Sequence, residues 1–181
     1  MPTKNVFISS TTESIMRDDR DYQIKINSKR FNIPEELIRA IIYAETLDTI
    51  LTAPRFEPHL KRARWYLQHL TKEEKEDYLA FCSLGDMQIL FAVAKEMGFQ
   101  GKPIELSRPV YNIYYGTKHL ANLIKQHKGD ILMGISAYNQ GQVIDSKGQR
   151  IASKFQTNGK LKNQKYVDRV IGKYKKYGGS L

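Results

Sequence analysis

The chain reads as a mainly α-helical protein, and three observations carry that reading. Apolar residues recur at helical spacing in several separate segments. Those segments begin and end with residues that start and stop helices. Only Tyr22, Ile24 and Ile26 alternate in the manner of a strand, and a short strand is expected there. Residues 1–30 as a whole are expected to be an N-terminal extension or a helix.

The first clear helix begins at Pro34, where the missing N–H costs nothing. Glu35 and Glu36 follow in the first turn and favour the positive end of the helix dipole. Leu37, Ile38, Ile41 and Ile42 then trace one buried face. Thr71 and Glu74 have the spacing of a capping box, ahead of a second helix ending near Cys82. A third is expected over 86–97, with Gly98 just past its end. A long helix over 109–127 stops at Gly129, and Asp130 caps a short one through Tyr138. The last covers 164–177, with Val167, Val170, Ile171 and Tyr174 on its apolar side and Gly178-Gly179 as its stop. Residues 145–163 differ, being rich in Gly, Ser, Asn and Lys, with Lys147-Gly148 and Asn158-Gly159 as turn signals. A small hairpin or a loop is expected there.

Composition narrows the function classes. With 181 residues, 41% hydrophobic and 27% charged, the chain suits one domain with a real core. A single cysteine, Cys82, excludes an internal disulfide and is expected to be a small buried hydrophobe. No apolar run approaches the roughly 18–20 residues of a membrane span, and residues 1–30 hold no apolar core of a secretory signal. His59, His69, His119 and His127 lack metal-ligand spacing, and no phosphate loop or nucleophile elbow occurs. No cofactor or metal is therefore expected. Trp65 and Tyr66 are expected to pack.

Charge is unevenly placed. Of the net +10, residues 145–181 carry +8, from ten Lys and Arg against Asp145 and Asp168. Such a tail attracts a polyanion: nucleic acid, anionic lipid or the acidic polymers of a bacterial envelope.

Glu45 is the residue that points to chemistry. It lies four after Ile41 and eight after Leu37, so it continues the apolar stripe of its own helix. Burial and the negative end of the helix dipole both disfavour its charged form. A carboxylic acid that keeps its proton near neutral pH is what a general acid requires. The plain alternative is that the helix stops at residue 44 and Glu45 faces solvent.

Four motifs occur in order: Ala44-Glu45-Thr46, Gly85-Asp86-Met87-Gln88-Ile89, Ala137-Tyr138-Asn139-Gln140-Gly141 and Tyr166-Val167. Asn112, Gly116 and Leu120 add a spaced helical pattern between the second and the third. Over roughly 30–175 the chain resembles the lytic transglycosylase domain, which is related to goose-type lysozyme. Thr46 stands where that family usually has Ser, and Asp86 where it has Leu. In the long gap after Glu45, Arg55-Phe56-Glu57-Pro58-His59 resembles the Phe-Glu-x-His segment of some phage N-acetylmuramidases.

The resemblance implies a lysozyme-like helical domain whose cleft binds the glycan strands of peptidoglycan. Glu45 would protonate the oxygen joining N-acetylmuramic acid to N-acetylglucosamine, then act as base toward the muramic 6-hydroxyl. That route gives a 1,6-anhydro product without water. Hydrolysis would normally need a second carboxylate, about 6.5–9.5 Å away in an inverting enzyme. Glu57 is the candidate and Asp86 a weaker one, while Glu57 as a partner of Arg55 or His59 is the structural alternative. Gln88 and Asn139 would hydrogen-bond the sugar, Tyr138 would orient Glu45, Tyr166 would line the cleft, and Met87 would form an apolar wall. Thr46 belongs to the same substrate-binding set.

Transglycosylase chemistry is the expectation, with a hydrolytic muramidase or a catalytically silent wall-binding virion protein as alternatives. Nucleic-acid binding gives no reason for Glu45 to sit on an apolar stripe, so no nucleic-acid partner is expected. Lys173, Lys175 and Lys176 are instead expected to meet an anionic envelope. The expected biology is a monomeric phage endolysin, made in the host cytoplasm and acting on the wall after release, or else a virion-associated lysin.

Overall fold

Helix α1 spans Arg20–Phe31, in place of the strand that Tyr22, Ile24 and Ile26 suggest. Its buried residues are Gln23, Ile24 and Asn27, an i, i+1, i+4 set that is two-thirds polar. Asp19 caps it by accepting from the Tyr22 N–H at 2.7 Å. The buried Asn27 amide is satisfied locally, donating to the Gln23 carbonyl at 2.8 Å. The structure is a computed structural model, and it describes residues 19–47, 53–144, 150–152 and 161–181.

Helix α2, Glu35–Thr46, follows Pro34 and buries Leu37, Ile38, Ala40, Ile41, Ile42 and Ala44. It ends where Leu47 enters the left-handed region at φ 52°. Next comes a small antiparallel sheet of β1 (Arg55–Phe56), β2 (Cys82–Leu84) and β3 (Ile89–Leu90), in that order. Between β1 and β2 lie a 3-10 turn at Pro58–Arg62, the short helix α3 (Arg64–Leu67), and further 3-10 turns at Glu74–Glu76 and Tyr78–Phe81. The Thr71–Glu74 capping box does form: the Thr71 N–H donates to Glu74 at 2.8 Å, and the Glu74 N–H to the Thr71 hydroxyl at 3.2 Å. It leads into 3-10 turns rather than an α-helix, because Cys82 and Ser83 are drawn into pairing with Phe56 and Arg55. Cys82 is buried as expected, but on a strand.

The helix expected over 86–97 is shorter for the same reason. Residues 85–88 make a turn, β3 follows, and α4 runs only from Phe91–Glu96. The long helix α5 (Pro109–Gln126) and α6 (Ile131–Gln140) match the expectation, and Asp130 caps α6 through the Met133 N–H at 3.0 Å. A hairpin occurs inside the Gly- and Ser-rich region: β4 (Gln142–Ile144) pairs antiparallel with β5 (Arg150–Ala152). It begins before residue 145, and 145–149 and 153–160 lie outside the described residues. Helix α7, Gln164–Lys176, completes the described chain.

Among the described residues two large hydrophobic cores result, beside a small cluster of Leu123 and Ala137. One gathers the apolar faces of α1, α2, α6 and α7 with Met87. The other lies under the sheet, around Tyr66, Phe81, Leu84, Phe91 and Phe99. Helix α5 serves both, giving Ile113 and Leu120 to the first and setting Tyr111 and Tyr115 against the second. Tyr66 is fully buried, whereas Trp65 is 50% exposed and only leans edge-on against it. Among the described residues no helix is long and apolar enough to cross a membrane.

Candidate active site

The site forms where elements of the two cores meet. The apolar face of α2 fixes the rotation of that helix, which carries Glu45 into its last turn. The Glu45 side chain is only 6% exposed, so the solvent-facing alternative does not hold. The Tyr166 hydroxyl, on α7, donates to Glu45 Oε1 at 2.7 Å. On the other side, Arg55 of β1 holds a guanidinium nitrogen 3.9 Å from Glu45 Oε2. That distance allows attraction but is too long for a hydrogen bond.

Burial pushes the Glu45 carboxyl above its ordinary pKa. The Tyr166 hydrogen bond and the charges of Arg55 and Arg169 oppose this rise, while the charge of Glu57 reinforces it. Tyr138 and Tyr166 are held well above the usual phenol range, first by burial and then by the neighbouring Glu45. Both therefore remain protonated donors.

Arg55 is itself held. Its Nε donates to Glu57 Oε1 at 2.9 Å, and the Ser83 hydroxyl donates to the same oxygen at 3.2 Å. Glu57 Oε2 faces His59 Nδ1 at 3.8 Å. The Arg55–Ser83 register of β1 and β2, with the Glu57 N–H bonded to the Phe81 carbonyl at 2.9 Å, places these groups together. In the sequence Arg55 stands out only as a partner for Glu57. Its i, i+2 spacing from Glu57 puts both side chains on one strand face, a signal that could have drawn attention to it. Ser83 arrives through strand pairing, and nothing local marks it.

The Gly85-to-Gln88 turn is built against the buried Asn112. Gly85 sits at φ 67°, and a Cβ there would lie 2.3 Å from the Asn112 amide nitrogen. Asn112 is fully buried on α5; its amide donates to the Leu84 carbonyl at 2.6 Å and the Leu106 carbonyl at 2.9 Å, and its oxygen accepts from the Met87 N–H at 2.7 Å. One turn on, Gly116 leaves room for Met87, whose sulfur would meet a Cβ there at 2.5 Å. Asp86 is buried and paired with Arg20 of α1.

Several expected substrate contacts are placed differently. Met87 is 0% exposed, so its side chain packs in the core instead of forming an open wall. The Tyr138 hydroxyl donates a hydrogen bond to the Met87 carbonyl at 2.8 Å, leaving Tyr166 as the tyrosine that bonds Glu45. The Tyr138 ring also lies against His119, whose pKa burial pushes down to about 4. Thr46 is buried, and its hydroxyl donates back to the Ile42 carbonyl of its own helix at 2.8 Å. Gln88, half-buried at φ 46°, donates its amide to the Gly85 carbonyl at 2.9 Å and braces the turn. Asn139 is exposed at the end of α6, and its side-chain oxygen accepts from Asn163 at 3.0 Å.

The hydrogen bond between Glu45 and Tyr166 brings the first and the last of the four ordered motifs together. The family model of the Transglycosylase SLT domain matches residues 23–161. The chain belongs to that family. Neither the search of curated proteins nor that of solved structures found a match. The mainly helical architecture with a small three-stranded sheet agrees with the lysozyme-like fold of SLT domains. Membership makes peptidoglycan the substrate and lytic transglycosylation the activity in general terms. The span matched by the SLT model holds Glu45, the Asn112 turn and Tyr138, and ends before Tyr166 and α7.

Proposed function

We propose that this chain cleaves the β-1,4 bond between N-acetylmuramic acid and N-acetylglucosamine with Glu45 as its single general acid and base. The observation that carries this reading is the buried Glu45 carboxyl, raised in pKa and held by the Tyr166 hydroxyl at 2.7 Å. Glu45 gives its proton to the bridging oxygen as the bond to the muramic C1 breaks. An oxocarbenium-like centre develops on that sugar. The Glu45 carboxylate then takes the proton of the muramic 6-hydroxyl, whose oxygen bonds to C1. The acid is regenerated, no water is consumed, and the product is 1,6-anhydro-muramic acid. Tyr166 keeps the carboxyl oriented through both transfers.

Two observations favour this route over hydrolysis. Glu57 already accepts from Arg55 and Ser83, and Asp86 is already paired with Arg20. A carboxylate so engaged is a poor base for water. The hydrolytic muramidase is kept as the second reading because the charge of Glu57 reaches Glu45. Mass spectrometry of fragments released from purified sacculi separates the two. Anhydro-muramic ends are expected; exclusively reducing ends would mean hydrolysis.

The proposed biological role is that of a phage endolysin, made in the host cytoplasm and acting on the wall after release, with a virion-associated lysin as the alternative. The phage-like Arg55-to-His59 segment supports it. The exposed Lys175 and Lys176 at the end of α7 are proposed to attract an anionic envelope, an attraction that salt screens within about 10 Å at 0.1 M. Lys173 is otherwise occupied, its ammonium lying 3.5 Å from the centre of the Tyr43 ring on α2.

A further inference from the structure

Glu57 and Arg55 make a coupled pair at the edge of the site, and the pair is built to do something other than activate water. We infer that Arg55 is a positioning residue that stabilises the Glu45 carboxylate left after proton donation, and that Glu57 restrains Arg55 from pairing with Glu45 outright. This rests on the reading of Glu45 as general acid and base, and gives Glu57 a role in that same reaction.

The geometry divides the work. Arg55 stands between two carboxylates at unequal distances, 2.9 Å from Glu57 and 3.9 Å from Glu45. Glu57 is fixed from behind by the Ser83 hydroxyl and by its own backbone bond to Phe81. The guanidinium is thus tethered short of hydrogen-bonding contact with Glu45. Full contact would make a bidentate or near-bidentate pair and strip Glu45 of its transferable proton. Without Arg55 the carboxylate formed in the first step would be buried with only the Tyr166 hydroxyl and the charge of Arg169 to offset it. The tether sets an intermediate condition: Glu45 is not paired outright, and its anion is tolerated between the two proton transfers. Arg55 is 55% exposed, so solvent weakens its field and the effect is one of tuning.

Among the described residues, the groups acting on Glu45 are Tyr166 and Arg169 from α7, Tyr138 from α6, Arg55 from β1, and Glu57 just beyond it. The first transfer needs protonated Glu45, so kcat/KM falls as pH rises through its pKa. Removing the Arg55 charge favours the neutral acid and moves that alkaline limb upward. Removing the Glu57 charge frees Arg55 to close on Glu45 and moves the limb downward. A loosened strand would not shift the two variants in opposite directions.

The test is the pH profile of sacculus clearance at low substrate for wild type, R55Q, E57Q and E45Q, with folding checked by circular dichroism. The expected result is a limb displaced upward by about half a pH unit or more in R55Q and downward by a similar amount in E57Q. E57Q regains much of its activity below neutral pH, and R55Q/E57Q falls between the single variants. Limbs that stay put, or move the same way, in folded variants would overturn the inference while leaving Glu45 as the acid. E57Q inactive at every pH would overturn it too, making Glu57 a reacting group. Undiminished clearance by E45Q would overturn the underlying reading itself.

Discussion

Two glutamates twelve residues apart in sequence meet the same arginine and are given different work by their surroundings. Glu45 is buried, held by a neutral phenol, and raised in pKa. Glu57 is more open and is met by a cation and a hydroxyl. The difference has a stability consequence. The folded protein binds the Glu45 proton more tightly than the unfolded chain does. Stability from the neutral acid is present at low pH and is lost as pH rises from the unfolded value through the raised folded one. Glutamine cannot titrate, so the Tm advantage of E45Q over wild type is expected to widen from about pH 4 upward. Tm measured across a pH series checks this, and parallel curves would contradict it. Glu45 was legible in the sequence because one charged residue on an apolar stripe stands out. Arg55 was not, since its relation to Glu45 depends on how β1 sits against α2.

At the scale of elements, the part of the chain that repeats its own chemistry was readable. The apolar faces of α2, α5 and α7 recur at 3.6 residues, and α6 carries an aspartate cap. The parts decided by distant partners were not. Helix α1 buries Gln23 and Asn27, so its inward face has no apolar period to read. The capping box at Thr71 formed as local chemistry dictates, yet strand pairing across 26 or more residues overrode the helix it announces. The Asn112, Gly116 and Leu120 pattern takes on meaning only with the turn in place. Asn112 satisfies three backbone groups of two other segments from one side chain. Asn112→Ala would leave those groups unpaired in the interior. A loss of about 2–4 kcal/mol in unfolding free energy is expected, measurable by urea denaturation. A loss under about 0.5 kcal/mol would show that water replaces the amide there.

At the scale of the molecule, two large cores share one long helix, and Glu45 lies where they meet. One side supplies Glu45 and Tyr166; the other supplies Arg55 and its tether. Neither core alone assembles the constellation, which explains why the motifs are spread over more than a hundred residues while each fragment is unremarkable by itself. The family match covers 23–161 and so contains Glu45 but not Tyr166, the tyrosine bonded to it. The proposed activity depends most on the transferable proton of Glu45. The most direct measurement is clearance of purified sacculi by Glu45→Gln beside wild type, at equal concentration and with matched circular dichroism. A fall of at least about 100-fold is expected for loss of the acid. Clearance within a few-fold of wild type by the folded variant would contradict it.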